Sequence, residues 1–201
     1  MGQRETLQKL EQLLHLANNG LRFSVDGYNS SRYGQIKEIT EEFYKQIPEL
    51  KDIDLESPDQ QGYLTPKVGV NALIVNDQGA ILMERRVDDK LWGLPGGWAD
   101  VGASAEDNVV REVREETGLE VKVKRLLKVI SRTPDQRSIV TSYHLLFHCE
   151  IVSGELKASH ESLEVGWVNL ANTEPWHWDH REWVDSLQEM ELPQELQGLF
   201  S

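Results

Sequence analysis

Apolar positions follow two different rhythms along this chain. Over the first sixty residues they fall at helical spacing, with Leu7, Leu10, Leu13 and Leu14 on one stripe. Asn18-Asn19-Gly20 reads as the stop of that helix. A second helix is predicted over 31–46, with Ile36, Ile39 and Phe43 on one face, closed by the restriction that Pro48 places on Ile47. The acidic stretch from Asp52 to Gly62, which contains Pro58, reads as a linker. From Gly62 the pattern changes to strands mixed with helices. A strand over 67–75 turns at Asn76-Asp77-Gln78-Gly79 into a hairpin partner over 80–85. The segment 90–103, rich in glycine, is predicted to be a loop. A helix over 105–117 follows, then strands over 121–130, 139–152 and 165–170, a turn at Ser153-Gly154, and a last helix over 180–190. The expected organisation is a small all-helical N-terminal domain with its linker, 1–60, ahead of an α/β domain, 61–201.

Charge sharpens this picture. The 201 residues carry 34 Asp and Glu against 21 Lys and Arg, a formal charge of -13. A field of that sign repels nucleic acid and polyphosphate at long range, so an anionic ligand would need a local inversion of sign, which a bound cation supplies. The polar stretch from Met1 to Leu10 lacks a signal-peptide core, and no apolar run reaches membrane-spanning length, so no membrane partner is expected. Gly2 and Thr6 fit the short myristoylation pattern formally, but the segment reads better as the start of a helix. Cys149 is the one cysteine; in its apolar surroundings it reads as a small core residue, and a lone thiol fits a reducing, cytoplasmic location.

The segment from Gly96 to Leu119 carries the candidate chemistry. Ser104 is a natural N-cap with Asp107 three residues on, and Gly118 a natural terminator. On the helix between them, Glu112 lies three residues from Glu115 and four from Glu116, so the three carboxylates share a face. Such runs are usually solvated surface. Here a loop, Leu94-Pro95-Gly96-Gly97, precedes the helix and permits close backbone approach to a phosphate or metal. Mg2+ suits this set, because it takes carboxylate oxygens and shares its remaining sites between water and phosphate. Arg85 and Arg86 are candidates for a phosphate clamp, with surface ion pairing as the competing reading. Arg111, four residues before Glu115, reads as a structural helix pair. Trp98 and Tyr143 are candidates for substrate contact, and Trp176-His177-Trp178 for a stacking lid or subunit contact; packing is the plainer reading of each. His144 and His148 lie on one side of a strand without acidic or cysteine neighbours at ligand spacing, a poor metal pair.

Gly97, Arg111, Glu112, Val113, Glu115, Glu116, Gly118 and Leu119 stand in the register of the Nudix box, G-x5-E-x7-R-E-U-x-E-E-x-G-U, and 91–97 resembles the usual approach to it. One position departs: Ala103 stands where the box has its first Glu, and Glu106 is out of register. The resemblance covers roughly 67–170. It implies a Nudix-type α/β/α sandwich with a mixed sheet. Glu112 and Glu116 would be first-choice metal ligands, Glu115 a third ligand or a base, and the Gly96 carbonyl a further ligand, with Gly97 close to the substrate. The metal would be Mg2+, with Mn2+ as the alternative. In many members of the family the general base comes from a later loop; in this sequence that loop is 159–164, with Glu164 the first candidate and Glu161 the second. The run Tyr28 to Tyr33 with Ile36 is similar to the helical N-terminal domain of a bacterial Nudix subgroup acting on nucleoside diphosphates linked to another moiety, ADP-ribose and CDP-choline among them. That implies hydrolysis to a nucleoside monophosphate and phospho-X by a homodimer. The rival readings are a triphosphate or RNA-end pyrophosphohydrolase, which the acidic surface opposes, and a weakly catalytic nucleotide-binding regulator, which Ala103 favours.

Overall fold

The computed structural model describes residues 3–47, 65–100, 102–135, 138, 140–171 and 175–200. The expected linker, 52–62, lies outside the described residues. The chain divides into two compact units, one made of 1–67 with 131–142, the other of 68–130 with 143–201. The first therefore takes in a segment far down the chain that the sequence boundary at residue 60 did not include.

In the first unit, α1 (Gln3–Phe23) and α2 (Gly27–Lys45) pack together. Leu7, Leu10, Leu14 and Tyr44 form their core. Two expectations fail here for physical reasons. Helix α1 does not stop at Asn18-Asn19-Gly20: Asn19 pairs with His15 one turn back at 2.8 Å, and Gly20 is where the Tyr33 ring lies against the helix, since a Cβ would meet that ring at 2.3 Å. The glycine serves packing, not termination. Helix α2 starts before Ser31, because Asp26 caps it by accepting from the Asn29 N–H at 2.7 Å. Its buried residues are Thr40 and Tyr44, while Ile36, Ile39 and Phe43 are exposed.

The second unit holds a four-stranded sheet in the order β4-β1-β6-β5 and a three-stranded sheet in the order β3-β2-β7. The strands are β1 (Lys67–Leu73), β2 (Ile81–Arg86), β3 (Trp92–Gly93), β4 (Gly96–Trp98), β5 (Leu119–Arg132), β6 (Ser142–Gly154) and β7 (Ser162–Val168). Helix α3 (Ala105–Thr117) lies on one side, and α4 (His180–Asp185) with a 3-10 helix, Gln194–Phe200, on the other. Val70, Ala72, Ile74 and Leu82 join Val109 and Val113 of α3 in one core. Leu73, Ile81 and Met83 turn the other way, towards Val184, Leu187 and Leu196. Strands β1 and β2 are covered on both faces, which is why they read as nearly unbroken apolar runs. Among the described residues no helix is long and apolar enough to cross a membrane.

The turn at 76–79 forms as expected, with the Asn76 side chain accepting from the N–H groups of Gln78 and Ala80 and Gly79 at φ 76°. The hairpin does not: past the end of β1, Val75 makes an isolated bridge to Ile81, and β1 and β2 lie in different sheets. The glycine segment 90–103 is not all loop. It supplies β3 and β4, and β4 pairs with β1 at Asn71–Gly96, Val70–Gly97 and Gly69–Trp98. Strand β7 starts at Ser162, so Glu164 sits in the strand opposite Arg85 and not in the loop before it. Helix α4 ends at Asp185, short of the expected 190, and the 3-10 helix that buries Leu196 and Leu199 was not anticipated.

Candidate functional site

Helix α3 forms where its caps require. The Ser104 side chain accepts from the Asp107 N–H at 3.0 Å, the Ser104 hydroxyl donates to the Asp107 carboxylate at 2.7 Å, and Gly118 closes the helix at φ 75°. Asn108, fully buried, pins the preceding loop: its side chain accepts from the Asp100 N–H and donates to the carbonyls of Asp100 and Ser104. These bonds fix the helix against β4, so its acidic face meets Gly96 and Gly97.

Glu116 is 5% exposed and accepts the Gly96 N–H at 2.7 Å. Burial first, and then the Glu84 carboxylate, push its pKa up to about 9. Glu84, 1% exposed within β2, is raised by burial and held by the Ser162 hydroxyl and by Arg86 at 3.2 Å. Glu112 is raised by burial, against the pull of Arg111 at 2.8 Å. Burial raises all three carboxyls, and Glu84 and Glu112 both add to the rise at Glu116. A divalent cation removes that repulsion, and the donors suit Mg2+, an oxygen-seeking ion. Among the described residues no group of three or more acidic, His or Cys side chains is already spaced to hold an ion alone.

One cleft of about 490 Å³ brings together Glu112, Glu116, Gly96, Gly97, Arg86 and Trp98. Glu161, Asp100, Arg111, Asn71 and His144 also line it, as do His177, Trp178 and His180. Four candidates lie outside its lining. Glu115 is exposed and paired with Arg111 at 2.9 Å. Glu164 is exposed on β7. Arg85 turns away and donates to the Lys90 carbonyl at 3.1 Å, because strand alternation puts it opposite Arg86. Tyr143 is 42% exposed on β6, the neighbour of the cleft residue His144. Ala103 is exposed in the loop and absent from the lining, so the carboxylate cluster stands without a side chain there.

Sequence reasoning missed Glu84, Asn71 and His180; it noted His177 only within a candidate stacking lid or subunit contact and His144 only as part of a poor metal pair. Glu84 had a signal: it follows Ala80 to Met83 in a strand apolar on both faces, where no position is free to be solvated. Asn71 likewise interrupts β1, and its carbonyl oxygen meets His144 Nδ1 at 3.2 Å. His177 is held by Asp89 at 2.5 Å, and His180 accepts the Leu94 N–H at 3.0 Å. Those pairs join residues about ninety positions apart.

The raised carboxyl of Glu116 has a thermal consequence. Its folded pKa lies above the value of about 4.5 expected for an unfolded chain, so the stability it contributes is complete below that value and is lost as pH climbs towards 9. Metal-free protein is expected to melt at falling temperature between pH 5 and 9. Saturating Mg2+ should raise the melting temperature by about 5–10 °C at pH 8.5 and far less at pH 5.5. Calorimetry at the two pH values checks this; an Mg2+ shift independent of pH would remove Glu116 from the ion's shell.

A mixed α/β domain that seats a capped acidic helix beneath a glycine loop defines a class of fold, and comparison with known proteins identifies it. The profile of the NUDIX domain matches residues 65–187, and the chain belongs to the Nudix family. It is 36% identical over 122 residues to the ADP-ribose pyrophosphatase of Methanocaldococcus jannaschii, a match covering 60% of this chain and 72% of that protein. It is 34% identical over 131 residues to YjhB of Bacillus subtilis (strain 168), provisionally named an ADP-ribose pyrophosphatase; that match spans 64% of this chain and 62% of the relative. Among solved structures, a UDP-X diphosphatase shares the fold over 94% of this chain and 95% of its own length, with a TM-score of 0.58 at 24% identity. An ADP-ribose pyrophosphatase from Streptococcus suis matches 64% of this chain and 96% of its own at 30% identity and a TM-score of 0.51.

Proposed function

We propose that the protein is a Mg2+-dependent pyrophosphatase of nucleoside diphosphates linked to a second moiety, with ADP-ribose the leading substrate. The observation that carries this is a single cleft lined both by carboxylates, the glycine loop and Arg86 and by the aromatic rings of Trp98 and Trp178. A terminal phosphate alone would make no use of the rings. The names of the relatives from M. jannaschii, B. subtilis and S. suis support ADP-ribose over CDP-choline.

Glu112 and Glu116, with the Gly96 carbonyl, would hold the ion, and Glu84 behind them tunes Glu116. When bound, the cation supplies charge neutralisation at the diphosphate and lowers the pKa of a coordinated water. Arg86 reaches the same cleft and can pair with a phosphate oxygen once its hold on Asp88 loosens. Arg111 binds Glu112, Glu115 and Asp100 together, which keeps Glu112 oriented. Glu161 lines the cleft and takes the proton of the attacking water. The water oxygen bonds to one phosphorus, the bridging P–O bond breaks, and a nucleoside monophosphate leaves with phospho-X. Glu115 and Glu164 would have to swing inward to take part.

Hydrolysis of a panel tests the reading: ADP-ribose, CDP-choline, sugar nucleotides, nucleoside triphosphates and capped RNA, each with and without Mg2+. Mg2+-dependent release of AMP and ribose 5-phosphate at the highest kcat/KM of the panel is expected. Preference for a triphosphate or RNA end would overturn the proposal. The exposed stripe of Leu13, Leu16, Ile36, Ile39 and Phe43 on the helical unit supports a homodimer, which a single-chain mass in sedimentation equilibrium would refute.

A further inference from the structure

Strand β7 departs from regular pairing at the point where it meets the carboxylates. Along β2 its partners run in step from Ile81–Val168 to Arg85–Glu164; then the register slips, so that Arg86 faces Ser162 and Leu163 is the extra residue. Without that bulge the residue opposite Arg86, on the side of the sheet where Glu84 and Arg86 lie, would be Leu163. With it, Leu163 is exposed and a buried serine stands beside a buried carboxylate. A bulge re-aims a side chain by disrupting the ladder locally. Here the group it brings in is a hydroxyl.

That hydroxyl belongs to a chain of bonds with one direction. Ser162 donates to one oxygen of Glu84, and Arg86 donates to the other at 3.2 Å. With its proton given to Glu84, the Ser162 oxygen can only accept from the Ser159 hydroxyl, 3.4 Å away. Ser159 in turn accepts the Glu161 N–H at 3.0 Å. Each hydroxyl donates once and accepts once, and the bonds run from the Glu161 backbone through two serines to Glu84. The Glu161 carbonyl is fixed from the other side by the Val87 N–H at 3.0 Å. Both backbone groups of Glu161 are thus held, while its side chain is exposed and lines the cleft with Glu112 and Glu116.

We propose that the Ser159–Ser162 hydroxyl chain is a positioning device, which ties the loop bearing Glu161 to the buried Glu84 and so sets where the Glu161 carboxylate stands against the Glu112–Glu116 face. Glu84 then has a second role beside its effect on Glu116, as the fixed point from which the loop is held. The two serines are positioning residues that act through Glu161. The inference rests on the reading of Glu161 as the group that takes the proton of the attacking water.

Two measurements on the full chain test it, and the first needs no turnover. Hydrogen exchange by NMR reads the Glu161 amide in metal-free protein. That amide is expected to be protected, and Ser159→Ala and Ser162→Ala should each speed its exchange by about 10-fold or more while the β7 amides from Val165 onward keep their rates. The second measurement is ADP-ribose turnover with Mg2+. Each alanine variant should lower kcat by about 10- to 100-fold and leave KM within about 2-fold, since the base is displaced and the substrate contacts are not. In the Glu161→Gln background either serine substitution should add nothing, because no base is left to position. Should Ser162→Ala fail to fold, Ser159→Ala, at a half-buried loop position, carries both measurements. Parent exchange rates at Glu161 in the serine variants overturn the proposal. So does a serine effect that persists in full in the Glu161→Gln background, which would route it through Glu84 and the ion. Unchanged turnover in Glu161→Gln alone would remove Glu161 as the base and the catalytic role of the chain with it. A parent protein that cleaves nothing in the substrate panel would sink the reaction proposed above, and the exchange rates alone would then decide whether the chain holds the loop.

Discussion

Glu116→Gln is expected to lower ADP-ribose turnover about a thousandfold while leaving the metal-free protein as stable as the parent, or more so. The two effects have one cause. Glu116 is buried beside Glu84, and its ionised form is favoured by the Gly96 N–H and by Arg86 against burial and the charges of Glu84 and Glu112. Glutamine keeps the oxygen that accepts from Gly96 and stands in for the protonated carboxyl that metal-free protein holds at neutral pH, and towards pH 9 and above it removes a repulsion, so the fold loses no support. Turnover suffers because charge stabilisation by a metal is worth several kcal/mol, and about 4 kcal/mol corresponds to a factor of a thousand. The Mg2+-dependent rise in melting temperature should shrink with the activity. A purely structural glutamate would behave in the opposite way, losing stability first. Glu112→Gln should follow the same pattern more weakly, since Arg111 already neutralises part of its charge. Glu115→Gln should cost little more than its exposed pair with Arg111. A thousandfold loss there would show that Glu115 turns inward when substrate binds.

The contrast between Glu116 and Glu84 shows how far the sequence carried. Helix α3 was legible to its last residue because its signals are local: a capping serine, a left-handed glycine and valines at helical spacing. The motif then placed Glu112 and Glu116 together without any long-range information. Glu84, as buried as either, sits next to Arg85-Arg86 and resembles the polar end of a strand; the apolar run before it hints at burial, but its partners Ser162 and Arg86 are what place it. The aromatic lining of the cleft was half legible. Trp176-His177-Trp178 drew notice as a sequence, but its link to Asp89 and Trp92 joins distant positions and has no local signature. Strand pairing failed at β1 and β2 for a related reason. A tight turn predicts that two strands pair, and here one isolated bridge beside the turn joins segments whose strands lie in different sheets. Gly20 misled because glycine serves close packing as readily as termination, and Tyr33, which settles which, lies in another helix.

Gly96→Ala should destabilise the protein by about 3 kcal/mol or more, lowering its melting temperature by about 6–12 °C, because backbone, not side chain, stands in the way. Gly96 lies at φ 145°, a conformation nearly confined to glycine, and a Cβ there would come 2.1 Å from the Val70 carbonyl oxygen and 2.7 Å from Asn71 Cα. Relief would require β4 to pull away from β1, which would also withdraw the N–H that holds Glu116. Two neighbouring glycines separate the contributions. Gly102 has φ 88° but nothing within 4 Å of its Cβ position, so Gly102→Ala carries conformational strain alone, about 1–2 kcal/mol, with activity retained. Gly97 has ordinary backbone angles, and a Cβ there meets the Glu112 carboxylate at 3.0 Å, the far end of a flexible side chain. Gly97→Ala should therefore cost under about 1 kcal/mol of stability, while displacing Glu112 should cut turnover about a hundredfold. Thermal melts and kcat on the three variants give a crossed pattern, stability lost most at 96 and activity without stability lost at 97. If Gly97→Ala turned over at the parent rate, Glu112 could not be an ion ligand held close beneath that loop, and the metal site would have to be rebuilt around Glu116 and Glu84.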